Sequence, residues 1–98
     1  MRFITVMQEI DDQARPRLAA GVRFQVDPAT GRSVLLYPEG IVELNETSQE
    51  IIRCCDGRTV SDLVIALARE YDADPSTVAA DVRETLADLR HRKLLEFT

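Results

Sequence analysis

The sequence predicts an α+β domain in which a three-stranded antiparallel sheet precedes three helices. Between residues 22 and 44, short apolar or alternating runs are separated by turn residues, which is typical of strands. From Asn45 onwards, three helix-capping patterns each precede apolar residues at helical spacing. The chain has 98 residues, of which 45% are hydrophobic, so it is long enough for one small domain with one modest core.

The three predicted strands lie between residues 22 and 44. Residues 22–26 alternate apolar and polar side chains, and the turn-forming residues 27–31 follow them directly. Residues 33–37 return as the second strand. Pro38 cannot donate to a sheet and Gly40 tolerates a positive φ angle, so residues 38–40 form a tight connection to a third strand at residues 41–44. The product is a three-stranded meander.

The first predicted helix begins after this sheet. Asn45 or Thr47 can cap it, and Thr47 with Glu50 fits a capping box. Gly57 is expected to end it. Its apolar stripe comprises Ile51, Ile52 and Cys55.

Two further helices follow. Thr59 with Asp62 repeats the capping-box spacing, and Asp74 places a capping carboxylate directly before Pro75. The last helix should run to about Arg92. The apolar stripe of the second helix comprises Val60, Leu63, Val64, Leu67, Ala68 and Tyr71, and that of the third comprises Val78, Val82, Leu86 and Leu89. Leu94, Leu95 and Phe97 should fold back onto the core. The whole arrangement resembles a winged helix.

Residues 1–15 carry no helix cap and no sustained period. We interpret them as an N-terminal arm, either mobile or forming an accessory strand at the apolar residues 3–7, ahead of a domain at residues 16–98.

The net charge of -5 argues against two classes of partner. An acidic surface repels both the phosphate backbone of nucleic acids and anionic membranes. The apolar runs are too short for a signal-peptide core or a membrane span. We therefore expect a cytoplasmic protein that binds neither nucleic acid nor membrane.

The sequence contains no matched set of catalytic or metal-binding residues. Cys54 and Cys55 are adjacent, which does not fit a zinc spacing, and we interpret them as two reduced thiols with Cys55 facing the core. The only histidine, His91, follows Arg90 near a helix end, where positive charge is favourable without a catalytic role. Asp74 already serves as a cap. We expect no metal, no cofactor and no enzymatic activity.

The third strand is a candidate binding site, because a meander leaves its outer edge unpaired. Such an edge offers N–H and C=O groups to an extended peptide. Residues 41–44 contain neither the proline nor the lysine that often protects an edge. The alternative is that the N-terminal arm or a helix covers this edge.

Three runs of residues resemble the PqqD family. They are Pro-Arg-Leu-Ala-Ala-Gly-Val-Arg at residues 16–23, Leu-Leu-Tyr-Pro-Glu-Gly at residues 35–40 and Cys-Asp-Gly-Arg-Thr-Val at residues 55–60. The resemblance spans residues 16–95. It implies a peptide chaperone, with a sheet ahead of three helices, that holds the leader of a ribosomally made precursor as an added strand between the third strand and the third helix.

The partners that the resemblance implies are the precursor peptide PqqA of pyrroloquinoline quinone (PQQ) biosynthesis and the radical S-adenosylmethionine enzyme PqqE. The implied peptide-binding residues are Ile41, Val42, Glu43 and Leu44 on the strand and Val78, Val82, Arg83, Thr85, Leu86 and Arg90 on the helix. Which helix residues face the groove and which face the core is left open. A homodimer through the strand edge or the N-terminal arm is a further expectation.

A winged-helix DNA-binding protein is the alternative function, with residues 79–92 as the recognition helix. Its basic residues Arg83, Arg90, Arg92 and Lys93 favour this alternative. The acidic residues Asp81, Glu84 and Asp88 and the negative net charge oppose it.

Overall fold

The computed structural model describes residues 10–98, and its element order confirms an α+β fold with three antiparallel strands ahead of three helices. The elements are β1 (Pro16–Leu18), β2 (Arg23–Val26), β3 (Ser33–Tyr37), β4 (Gly40–Glu43), α1 (Glu46–Arg53), α2 (Val60–Glu70), α3 (Pro75–His91) and β5 (Leu95–Phe97). The order in the main sheet is β2-β3-β4, and β1 and β5 form a separate two-stranded sheet.

The main sheet has one face on the core. Phe24, Leu35 and Val42 stand opposite one another across its three strands. Leu35 is completely buried, while Phe24 and Val42 at the two outer strands are half-buried. Because side chains alternate between the faces of a strand, this row fixes the register of the meander.

The three helix caps are confirmed as side chains that accept backbone hydrogen bonds. Asn45 accepts from the Ser48 N–H at 2.7 Å, Thr59 from the Asp62 N–H at 3.1 Å and Asp74 from the Ser76 N–H at 3.2 Å. The first helix ends earlier than predicted, at Arg53 with Cys54 as its C-cap, and Gly57 lies in the following link. Each cap contributes about 1 kcal/mol to stability.

The core lies between the sheet and the apolar faces of α2 and α3. Leu63 and Leu86 are completely buried, and each such leucine contributes about 1.5–3 kcal/mol relative to an exposed side chain. The prediction for Tyr71 is wrong: its side chain is 55% exposed instead of buried. Tyr71 is the C-cap of α2, so it lies beyond the last turn that packs on the core.

The second sheet joins the two ends of the described chain. Leu18 pairs with Leu95 and Pro16 with Phe97, and Arg15 and Thr98 exchange two backbone hydrogen bonds of 3.1 and 3.0 Å. Leu94 and Leu95 are buried, as the predicted return to the core requires.

Residues 10–15 pack against the helices. Ile10 is 7% exposed and belongs to the core cluster. The carbonyls of Ala14 and Asp12 accept from the N–H groups of Val60 and Ser61 at 2.9 and 3.0 Å, so they satisfy donors that the start of α2 leaves without helical partners. The remainder of the expected arm, including the strand predicted at residues 3–7, lies outside the described residues. No helix within residues 10–98 has the length and hydropathy needed to cross a membrane.

Candidate functional site

The outer edge of β4 is open in the described part of the chain, where β3 is its sole strand neighbour. The Leu44 N–H donates to the Ser33 carbonyl at 2.9 Å. Backbone groups alternate in direction along a strand, so Val42, opposite Leu35, also directs its N–H and C=O toward β3. Ile41 and Glu43 therefore direct theirs away from the sheet, and these residues form the free edge.

The side chains of this edge divide between the core and solvent. Val42 and Leu44 are half-buried and pack against the core cluster. Ile41 is 65% exposed, which is unusual for an isoleucine on a strand. Glu43 is exposed and pairs with Arg32 at 3.0 Å, an ion pair so solvated that it contributes at most about 1 kcal/mol.

On α3, the predicted site residues fall on different faces. Leu86 is completely buried and Val82 is 1% exposed, so their side chains belong to the core, and Leu86 has no surface to offer to a peptide. Val78 and Thr85 are half-buried and, seven residues apart, share one face of the helix.

Arg83 and Arg90 share a different face, which is turned toward the N-terminal segment and β5. The Arg83 guanidinium contacts the Asp12 carboxylate, and the Arg90 guanidinium lies over the Phe97 ring, 5.4 Å from its centroid. Arg92 bonds Asp88 at 3.1 Å. These basic residues are thus engaged within the domain.

A cavity of about 370 Å³ lies between α1, the end of α2 and the first turns of α3. Its apolar wall includes Ile51, Leu67 and Val82, which are buried, and Val78. The polar residues that line it are Glu46, Thr47, Gln49, Glu50, Tyr71 and Asp81. Glu46 and Gln49 also line an adjoining depression with Glu43 and Leu44, so a continuous surface connects the end of β4 to the cavity.

The sequence predicts Val78 and Val82 of this cavity as site residues, but not the residues that α1 and α2 contribute to it. One pattern in the sequence does point to the α1 side: Glu46 and Glu50 are four residues apart, so both carboxylates lie on one face of α1. That this face adjoins α3 follows from tertiary packing alone.

The cysteines are poorly suited to nucleophilic chemistry. Burial raises the pKa of the Cys55 thiol to about 12, and its Sγ donates to the Ile51 carbonyl at 3.3 Å. Burial also raises the pKa of Cys54. Both thiols are therefore protonated at neutral pH, when the thiolate would be the reactive form. Residues 10–98 contain no cluster of three or more acidic, histidine or cysteine side chains that could hold a metal ion.

Comparison with known proteins agrees with the fold. Residues 32–95 match the model of the family described as coenzyme PQQ synthesis protein D, PqqD. The chain is 41% identical over 90 residues to the PqqA binding protein of Xanthomonas oryzae pv. oryzae (strain PXO99A), which covers 91% of this chain and 98% of that protein.

A further relative and a solved structure also match this chain. The chain is 39% identical over 82 residues to the bifunctional coenzyme PQQ synthesis protein C/D of Methylorubrum extorquens, which covers 83% of this chain and 22% of that protein. The solution NMR structure of the PqqD truncation of Methylobacterium extorquens PqqCD, described as a stand-alone recognition element for ribosomally synthesized and post-translationally modified peptides, matches with a TM-score of 0.77 and 35% identity over 92% of this chain and 97% of that one. On this evidence from sequence and fold together, the chain belongs to the PqqD family.

Proposed function

We propose that this protein is a non-catalytic peptide-recognition protein of PQQ biosynthesis that binds the precursor peptide PqqA as an added strand along β4. The observation that carries the proposal is the free edge at Ile41 and Glu43. The name of the Xanthomonas relative, a PqqA binding protein at 41% identity, supports this choice of ligand.

The outward N–H and C=O groups of Ile41 and Glu43 would set the register of the peptide, as in other cases of β-strand addition. Ordering an extended segment costs about 1–2 kcal/mol per residue, whereas each main-chain hydrogen bond contributes only about 0.5–1.5 kcal/mol net. Net affinity must therefore come from side chains that cover Ile41 and enter the surface leading from β4 to Val78 and Thr85. We expect a dissociation constant that is micromolar or lower, which corresponds to a binding free energy of about 8 kcal/mol in favour of the complex.

Presentation of the bound peptide to PqqE is the second part of the proposal. PqqE, a radical S-adenosylmethionine enzyme, would crosslink a glutamate and a tyrosine of PqqA while this chain holds the leader. The fusion of a homologous domain to another PQQ synthesis protein in Methylorubrum extorquens supports a role close to enzymes of this pathway. The chain itself would bind and orient the peptide, a role that the name of the Xanthomonas relative, a PqqA binding protein, supports.

The test is a calorimetric titration of the protein with synthetic PqqA, with duplex DNA at moderate salt as the control ligand. We expect a saturable one-to-one complex with PqqA and no measurable complex with DNA, given the net charge of -5 and the engaged arginines of α3. Tight, steeply salt-dependent DNA binding without PqqA binding would instead favour a winged-helix DNA-binding protein.

A further inference from the structure

The cavity between α1, α2 and α3 combines an apolar wall with a ring of carboxylates. Ile51, Leu67 and Val82 form the wall, and Glu46, Glu50 and Asp81 stand around it. None of the ion pairs found among residues 10–98 involves these three carboxylates. The described residues that line the cavity include these three carboxylates and no lysine or arginine. Arg32, which lines the adjoining depression with Glu46, is paired with Glu43. The cavity therefore carries negative charge beside a surface that favours hydrocarbon.

Tyr71 adds an aromatic ring to the same cavity. Its side chain is 55% exposed and lines the opening instead of packing in the core. Desolvation raises the pKa of its hydroxyl, and the Glu50, Glu70 and Glu46 carboxylates raise it further. An exposed aromatic ring beside carboxylates is a favourable environment for a cation, because the ring face and the acids attract it together.

We propose that this cavity binds the side chain of a lysine or arginine of the precursor peptide, with the aliphatic part of that side chain against the apolar wall and its charge among Glu46, Glu50, Asp81 and Tyr71. This inference rests on the proposed function, and it adds that the cavity selects a basic side chain of the bound peptide. An aspartate or glutamate would be repelled here, and a purely apolar side chain would leave the carboxylates unpaired.

The position of the cavity fits a peptide held on β4. The chain leaves β4 at Glu43 and enters α1 at Glu46, which lines both the cavity and the depression beside β4. A peptide that pairs with Ile41 and Glu43 would therefore leave the strand next to the depression that adjoins the cavity.

The test is a double-mutant cycle between the protein and PqqA, measured by calorimetry. On the peptide, each lysine or arginine is replaced in turn by norleucine, which keeps a hydrocarbon side chain and removes the charge. On the protein, the cavity variant combines Glu50→Gln and Asp81→Asn. The control variant combines Glu39→Gln and Glu84→Gln, which removes the same charge at two exposed residues outside the cavity.

We expect one norleucine peptide to bind about five- to tenfold more weakly to the parent protein and to the control variant, from the loss of one cation–π contact and its ion pairs. The same peptide and the parent peptide should bind the cavity variant equally, within about twofold. Tyr71→Leu should weaken binding of the parent peptide but leave binding of that norleucine peptide unchanged.

Two results would overturn the inference. In the first, norleucine substitution weakens peptide binding to the cavity variant as much as to the control variant. In the second, no norleucine peptide binds the parent protein more weakly than the parent peptide does. The peptide series on the parent protein does not depend on how well any variant folds, and the coupling is calculated only for variants whose circular dichroism matches that of the parent protein. If PqqA binds and Ile41→Pro abolishes binding while the cycle shows no coupling, the cavity inference alone fails. If PqqA does not bind the parent protein, the proposed function and the cavity inference fail together.

Discussion

The three-stranded sheet has two outer edges, and both are open within residues 10–98. On β2, the Asp27 N–H donates to the Arg32 carbonyl at 2.7 Å, so Phe24 and Val26 are the residues whose backbone groups point away from β3. On β4, Ile41 and Glu43 hold the corresponding positions. The two edges thus offer the same backbone groups to a peptide.

The surroundings of the two edges differ. Beside β2, the Arg53 guanidinium lies 5.9 Å from the centroid of the Phe24 ring, and Arg23 and Gln25 are exposed. Beside β4, the surface leads past Leu44 into the cavity lined by α1 and α3. An open edge supplies register, a neighbouring groove is needed for side-chain specificity, and β4 has both.

The largest expected effect comes from Val42→Pro, which removes a backbone donor that faces β3. Loss of a ladder hydrogen bond together with a steric clash should destabilise the domain by about 3 kcal/mol or more. Chemical denaturation followed by circular dichroism measures this change. A Val42→Pro protein as stable as the parent would show that the inward and outward residues of β4 have been assigned the wrong way round.

Glu43→Pro should leave the domain folded and weaken PqqA binding at least tenfold, about 1.4 kcal/mol, because the lost donor faces the incoming strand. Glu43→Ala is the matched control, since it also loses the ion pair to Arg32 but keeps the backbone N–H. Val26→Pro removes the corresponding donor on the β2 edge and should leave PqqA binding unchanged, within about twofold. If Val26→Pro weakens binding and Glu43→Pro does not, the peptide binds at β2.

Self-association should be the weakest of these effects. The exposed Ile41 and the free edge of β4 can pair with a second copy, and we expect dimers only toward millimolar concentration. Sedimentation equilibrium should show PqqA dissociating these dimers, since both occupy one edge. Dimers that persist when the protein is saturated with PqqA would place the dimer contact elsewhere.

Local patterns in the sequence predicted the elements whose determinants lie within a few residues. Asn45, Thr59 and Asp74 cap helices because each has a nearby N–H to accept, and that spacing is visible in the sequence. The strand β1 was not predicted, because Pro16 pairs with Phe97 at the other end of the chain and no local period marks the pairing.

Only part of the candidate site could be predicted from the sequence, because the rest depends on contacts between residues that are distant in the chain. The free edge at residues 41–44 follows from strand order, but its outward pair, Ile41 and Glu43, required the observed Leu44 to Ser33 hydrogen bond. On α3, Val82 and Leu86 carry the same apolar signal as Val78, and only packing separates the two core residues from the half-buried one.

Amide hydrogen exchange followed by NMR, with and without saturating PqqA, tests the central claim most directly. In the free protein, the N–H groups of Ile41 and Glu43 should exchange rapidly and that of Val42 slowly, because the Val42 N–H faces β3 and the other two face away from it. On binding, Ile41 and Glu43 should become protected at least tenfold, while Phe24 and Val26 on the other edge should not change. Protection of Phe24 and Val26 with Ile41 and Glu43 still exchanging freely would contradict strand addition at β4.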